Sequence, residues 1–218
     1  MTTKMQTDCK AHKLYLLLCA GLILFGIILG LLGRGQIHLI PGLAGSGLFH
    51  FGALKTFTYQ SNLLLVVGFL AMAMMGENKA RHYISASVML GAIVTGLVYN
   101  FLLFPIAGAP IVFSNYVNFS THLLVMIFPL ANYIIFEKKG LLTLRHILAA
   151  TIFPALYWAI FVTIGERINF FPYFFMNHPL IGWPNVILWF VILLAFFAGL
   201  GFLLILFDRR QGKRVCEV

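Results

Sequence analysis

The chain has 218 residues, of which 61% are hydrophobic and 10% charged, against about 25% charged in ordinary soluble domains. This much Leu, Ile and Phe cannot be hidden inside an aqueous fold, so a soluble globular class is excluded and an integral membrane protein is predicted. The net charge of +9 invites a nucleic-acid partner, which the placement of Lys and Arg argues against.

In chain order, residues 1–13 are a short polar segment with three Lys. Six apolar runs follow, at 14–33, 56–76, 83–104, 119–136, 147–164 and 186–207, each 18–22 residues long. That length matches the roughly 20 residues a helix needs to cross a ~30 Å hydrocarbon core. The first run is too long for a signal-peptide core and lacks a nearby small-residue cleavage site, so it reads as a retained span. Gly26 and Gly30 give it a GxxxG, a candidate packing face. The fourth and fifth runs carry Pro129 and Pro154, candidate kinks. Between runs, 34–55 is Gly-rich, 105–118 has Pro, Gly and Asn, and 165–185 is aromatic. These three connections read either as segments folded over the helix ends or as an ordinary aromatic belt.

Twelve Lys and Arg fall at the termini and in the second and fourth connections, three in the other connections. By the positive-inside rule both termini are cytoplasmic, and the basic excess serves topology and anionic lipid. The expected organisation is a 1–13 cytoplasmic N-terminal segment, a 14–207 six-helix transmembrane domain and a 208–218 basic cytoplasmic tail, read as a solvated anchor. Cys9, Cys19 and Cys216 predict no structural disulfide; Cys9 sits where a lipid could be attached. His12, His82 and His146 fall at the cytoplasmic rim and read as interfacial.

The runs contain no Asp, Glu, Lys or Arg. His122 is their one side chain that titrates near neutrality, and an intramembrane ionisable group is a functional-site hypothesis by default. Runs 2 and 4 have the same direction, and Thr58 and His122 stand third and fourth in them, so both sit about 5 Å below the outer boundary. Gln60, Ser61, Asn62, Thr95, Tyr99, Asn100, Asn118, Thr121, Thr163 and Glu166 gather at that level, which points to an outer-leaflet polar pocket. A Thr hydroxyl becomes a nucleophile when a neighbouring base takes its proton, which predicts Thr58 as nucleophile and His122 as base. Glu166 is a candidate orienter of the imidazole, with Asn118, Asn100 or a backbone carbonyl as alternatives. Gln60, Asn62 or Asn100 would donate to an oxyanion. The same groups also suit a purely structural role, bonding their own helix or holding helices together. His38, His50, His122 and His178 share the outer side, but their spacing fits no standard ligand pattern, so no metal and no cofactor are expected. A coupled transporter usually needs a midplane carboxylate or a broken helix, and only Pro129 and Pro154 offer breaks.

Phe57-Thr58-Tyr59-Gln60-Ser61-Asn62-Leu63 resembles the Phe-Thr-x-Gln-Ser-Asn-Leu signature of a bacterial group of six-helix membrane proteins. Val94-Thr95-Gly96-Leu97-Val98-Tyr99-Asn100 resembles that group's third helix, His122 with Asn132-Tyr133-Ile134-Ile135-Phe136 its fourth, Arg145-His146 with Pro154 the start of its fifth, and Pro172-Tyr173 the loop after it. The group is distantly similar to the eukaryotic androgen-induced and androgen-dependent membrane proteins, threonine hydrolases of fatty acid esters of hydroxy fatty acids. The resemblance implies an integral protein of the bacterial inner membrane that hydrolyses a lipid-like ester. Thr58 and His122 would be catalytic, and Gln60, Ser61, Asn62, Asn100 and Asn118 would line the pocket. The alternative is a non-catalytic six-helix protein that binds or transports a small apolar or lipid-like ligand. Membrane lipid is the expected surrounding partner in either case.

Overall fold

The computed structural model describes residues 2–33, 51–109 and 111–216. Among these there is no strand, and six helices are long and apolar enough to cross a membrane. They are α1 (Thr2–Leu31), α2 (Phe57–Met74), α3 (Lys79–Ile106), α4 (Tyr116–Phe136), α5 (Leu144–Ile164) and α6 (Trp183–Cys216). The all-α, six-span class is the one the apolar runs predict. Some helices overrun those runs: α1 starts at Thr2 and α6 continues to Cys216. Apolar runs mark the part of a helix that lipid can solvate, whereas the backbone ladder continues into polar surroundings.

One stripe of α1, Leu16, Cys19, Ala20, Ile23 and Ile27, is buried because i, i+3, i+4 spacing collects these residues on one side. It packs with Leu65, Val66, Phe69 and Met72 of α2. Gly26 and Gly30 are contact points: a Cβ at Gly26 would lie 1.9 Å from Ser120 Oγ, and one at Gly30 1.8 Å from Tyr59 Oη. The GxxxG is therefore a packing face, turned toward α2 and α4. α3 lies against α2, α4, α5 and α6. α6 is outermost, with Leu188, Val191, Phe202 and Leu203 more than half exposed.

The ends of the bundle differ in chemistry. At the end holding both termini, His12 Nε2 is 2.8 Å from Asn132 Oδ1. Arg81 Nη2 lies 3.2 Å from the His12 ring nitrogens and 3.6 Å from Glu137 Oε1. Arg81 Nη1 donates to the carbonyls of Met72 and Met75, closing the last turn of α2. Asp208 accepts from Tyr133 Oη and from the amides of Gly140 and Leu142, the latter two at 2.8 and 2.7 Å. These contacts correct two expectations. Asp208, read as the start of a solvated tail, is 0% exposed, because three donors replace its water. His12 and His146 are not merely interfacial. His12 is bonded and stacks on Phe136 at 4.3 Å, and His146 completes a capping box with Thr143. His82 lies 3.1 Å from Glu77 and 3.9 Å from Glu137.

Candidate functional site

Thr58 belongs to the first turn of α2, whose backbone N–H groups have no partner within the helix. Thr56 is the N-cap: its Oγ1 accepts from Tyr59 N at 3.5 Å and donates to Ala53 O at 2.8 Å. This ties the 3-10 turn Phe51–Lys55 to the helix start. Two tyrosines from elsewhere converge there. Tyr157 of α5 donates to Lys55 O at 2.9 Å and interacts with the Phe57 backbone. Tyr173, in the loop before α6, interacts through its hydroxyl with the Thr58 side chain and with the backbones of Phe57 and Thr58. Burial pushes the Tyr173 hydroxyl above its usual range, and these contacts with Thr58 and Phe57 work against the shift.

A cavity of about 100 Å³ opens beside Thr58. Its wall takes Thr58 from α2, Val94, Thr95 and Val98 from α3, Thr151, Pro154, Ala155 and Trp158 from α5, and Tyr173, Phe175 and Met176 from the loop. α6 closes it with Phe190, Leu193, Leu194 and Phe197. Thr58, Thr95, Thr151 and Tyr173 bring hydroxyl-bearing side chains to a wall that is otherwise mostly hydrocarbon and aromatic.

The pocket amides expected from the sequence point elsewhere. Gln60 Nε2 donates to Leu54 O at 3.0 Å, Asn62 Nδ2 to Thr121 O at 3.1 Å, Asn100 Nδ2 to Gly96 O at 2.8 Å and Asn118 Nδ2 to Ser114 Oγ at 2.9 Å. None of the four lines the cavity. Ser61 Oγ sits 3.1 Å from both Thr58 O and Thr95 Oγ1, joining α2 to α3 just behind the cavity wall. Glu166 is exposed and lies 3.6 Å from His178, not beside His122.

His122 lies on a π-helical turn, Ser120–Leu124, and its ring stacks on Tyr99 at 3.4 Å and 12°. Tyr99 starts a second π turn, Tyr99–Leu103. The first has a local cause. Ser120 and Thr121 hydroxyls both bond Val117 O, at 3.0 and 2.7 Å, and compete with the ladder. The second precedes Pro105, which has no N–H and whose ring crowds the carbonyl four residues back. π turns inside helices often occur at functional sites. The side-chain-free Gly96 lets α4 approach, since a Cβ there would meet His122 O at 2.7 Å. His122 is 6% exposed, and its Nδ1 has no hydrogen-bond partner among the described residues. No hydrogen bond among those residues joins Thr58 to His122, and His122 is absent from the cavity wall. The shared depth of the two residues does not by itself make them neighbours.

Sequence reasoning missed Tyr157 and Tyr173 as neighbours of Thr58. Tyr173 stood inside the aromatic loop, where a phenol reads as an interface anchor. His38 and His50 lie outside the described residues, as does the side chain of Cys9. Among the described residues no three His, Cys, Asp or Glu side chains come together as metal ligands do. No family model matches the chain, and no curated protein or solved structure matches it either.

Proposed function

We propose that the chain is a membrane-embedded hydrolase of lipid-like esters with Thr58 as nucleophile. The observation that carries this reading is the meeting, at Thr58, of a hydroxyl, an apolar cavity and helix-start amides that lie outside the ladder of α2. Thr58 Oγ adds to the ester carbonyl while a base takes its proton. The alcohol leaves with that proton, and water then releases the acid from the acyl-threonine. The Phe57 and Thr58 amides, now beside the Tyr173 hydroxyl, are better oxyanion donors than Gln60, Asn62 or Asn100, because they sit at the positive end of α2 and are not committed to its ladder. His122 is the base. Its Nδ1 is buried without a hydrogen-bond partner among the described residues, and catalytic hydrogen bonds are often unformed in a ligand-free site. The basic excess around the termini supports a cytoplasmic placement for them by the positive-inside rule, and in the proposed bacterial inner membrane the Thr58 end would then face the outer leaflet.

A second reading, a protein that holds or moves a lipid-like ligand without cleaving it, is favoured by the absence of His122 from the cavity wall. A fluorophosphonate probe on the purified protein separates the two. Labelling at Thr58 that disappears in Thr58→Ala and falls about 10²-fold or more in His122→Ala supports the hydrolase. Labelling unchanged in Thr58→Ala overturns the nucleophile, and a folded protein that is never labelled favours the carrier.

A further inference from the structure

The cavity has a lid at one end and an opening at its side. At the Thr58 end the loop folds inward: Phe170 is 4% exposed, Phe175 3% and Met176 0%. The seam between α5 and α6 is sealed at two heights. Near the loops, Trp158 stacks on Phe175 at 5.6 Å and meets Phe190 at 5.4 Å. Toward the termini, Gly201 packs on Ile147, where a Cβ would come within 2.5 Å of Ile147 Cγ2. Between these seals the facing residues are Thr151, Pro154 and Ala155 on α5 and Leu193 and Leu194 on α6, all lining the cavity. Leu194 is at the same time 42% exposed on the lipid-facing surface. A residue that lines the cavity and also faces outward marks where inside and outside meet.

Depth and size fix what passes there. Leu194 is eleven residues into α6 and Pro154 ten into α5, about 15 Å along each axis at 1.5 Å per residue and so near the middle of a ~30 Å core. Thr58 is the second residue of α2, near the opposite limit of the cavity. The enclosed volume, about 100 Å³, is below the roughly 300–1,000 Å³ that surrounds a drug-sized ligand. A whole lipid does not fit inside, and part of it must remain in the bilayer.

We propose that the cavity is loaded sideways from the bilayer through the Ala155–Leu194 seam by a single-acyl-chain amphiphile, whose polar group lies at Thr58 and whose tail runs back out into the bilayer midplane. The tail then stays in hydrocarbon throughout, and chain length beyond the seam is not selected. The proposal builds on the reading of the cavity as a lipid-ligand site, but does not require Thr58 to react. Binding is therefore measured apart from hydrolysis, with the full chain in nanodiscs of dioleoylphosphatidylcholine. The probe is palmitic acid methyl ester carrying a mid-chain diazirine, and photolabelled sites are mapped by peptide mass spectrometry. Labels are expected on Thr151, Ala155 and Leu193. Ala155→Trp and Leu194→Trp should each lower cavity labelling about tenfold, equivalent to roughly 1.4 kcal/mol. Leu188→Trp, on the exposed face of α6 away from the cavity, should leave it unchanged. If Ala155→Trp disturbs folding, Leu194→Trp still decides, because its side chain already reaches the surface. Undiminished cavity labelling in folded Leu194→Trp, or labels confined to the outer faces of the helices, overturns the proposal. Loss of fluorophosphonate reactivity with this labelling intact would remove the hydrolase and leave the seam standing.

Discussion

Asn62 shows why residue type near Thr58 misleads. Read from sequence it is a ready oxyanion donor, yet its Nδ2 is committed to Thr121 O across the α2–α4 contact, and its Oδ1 is buried without a partner among the described residues. Spacing gave the depth of Thr58, Asn62 and His122 but not their direction around each helix axis, and direction decides who meets whom. Tyr173 makes the converse case, since a loop aromatic proves to be the hydroxyl beside Thr58. Its pH behaviour is specific. Burial raises its ionisation, and the charged form of a phenol is the deprotonated one, so the group stays neutral from about pH 7 to 9 and past its ordinary value near 10. Fluorophosphonate labelling of Thr58 should therefore show no Tyr173-dependent step across that range, which comparing wild-type and Tyr173→Phe profiles checks. Above about pH 10 only the unfolded tyrosine ionises, so Tyr173 contributes a loss of stability as pH rises. Gly96→Ala tests the approach of His122 to α3. With a Cβ 2.7 Å from a backbone carbonyl and 3.1 Å from Met126 Sδ, it should cost about 1–3 kcal/mol of overpacking, read as a lower unfolding temperature in detergent.

At the scale of elements, the helices were legible because lipid demands long apolar runs, and their irregularities were not. Nothing in a hydropathy profile separates an α turn from the π turns at Tyr99–Leu103 and Ser120–Leu124. Those turns arise from hydroxyl-to-carbonyl bonds and a proline, which act locally and leave hydrophobicity unchanged. Helix overrun is similar, since Lys10 and Arg209 are helical without being apolar. The GxxxG of α1 was visible, but its partner was not. The structure now ranks the two glycines. At Gly26 a methyl would press on Ser120 Cβ at 2.8 Å as well as on its Oγ, and Cβ cannot rotate away. At Gly30 it would meet the far end of the Tyr59 ring, which has some freedom. Gly26→Ala should thus cost about 1–3 kcal/mol and Gly30→Ala less. Gly21→Ala, with nothing within 4 Å of the new Cβ, should be neutral or stabilising by up to about 1 kcal/mol through helix propensity. Thermal unfolding of the three variants side by side checks the order, and a Gly21 variant as damaged as Gly26 would refute the assigned face.

Over the whole molecule, the buried charges and the cavity occupy opposite ends. The Thr58 end uses neutral hydroxyls, tyrosines and committed amides, so its cavity remains apolar. The terminal end places Arg81, Glu137 and Asp208 in the interior, at 6%, 7% and 0% exposure. Such groups tolerate burial only when each is answered by donors, acceptors or a counter-charge. Arg81 links the carbonyl end of α2 to His12 of α1 and Glu137 beyond α4, and Asp208 fastens α6 to the α4–α5 connection. The two ends should therefore fail separately. Arg81→Gln leaves Glu137 buried without its nearest guanidinium and frees two carbonyls of α2. Removing one partner of a buried pair costs about 3–5 kcal/mol, so a large fall in unfolding temperature is expected. Below that temperature the folded fraction should still take the diazirine probe beside Thr151 and Ala155, because no residue of the terminal network lines the cavity. Thr58→Ala should do the opposite: its hydroxyl heads the cavity and makes no contact with that network, so fluorophosphonate reactivity vanishes, while loss of its contact with the Tyr173 hydroxyl costs about 1–3 kcal/mol, less than Arg81→Gln. Unfolding scans, photolabelling and fluorophosphonate labelling of the same nanodisc samples measure stability, cavity occupancy and reactivity. A coupled loss in Arg81→Gln, with the cavity emptied in protein that is still folded, would mean that the network sets the geometry around Thr58 and that the two ends are one mechanical unit.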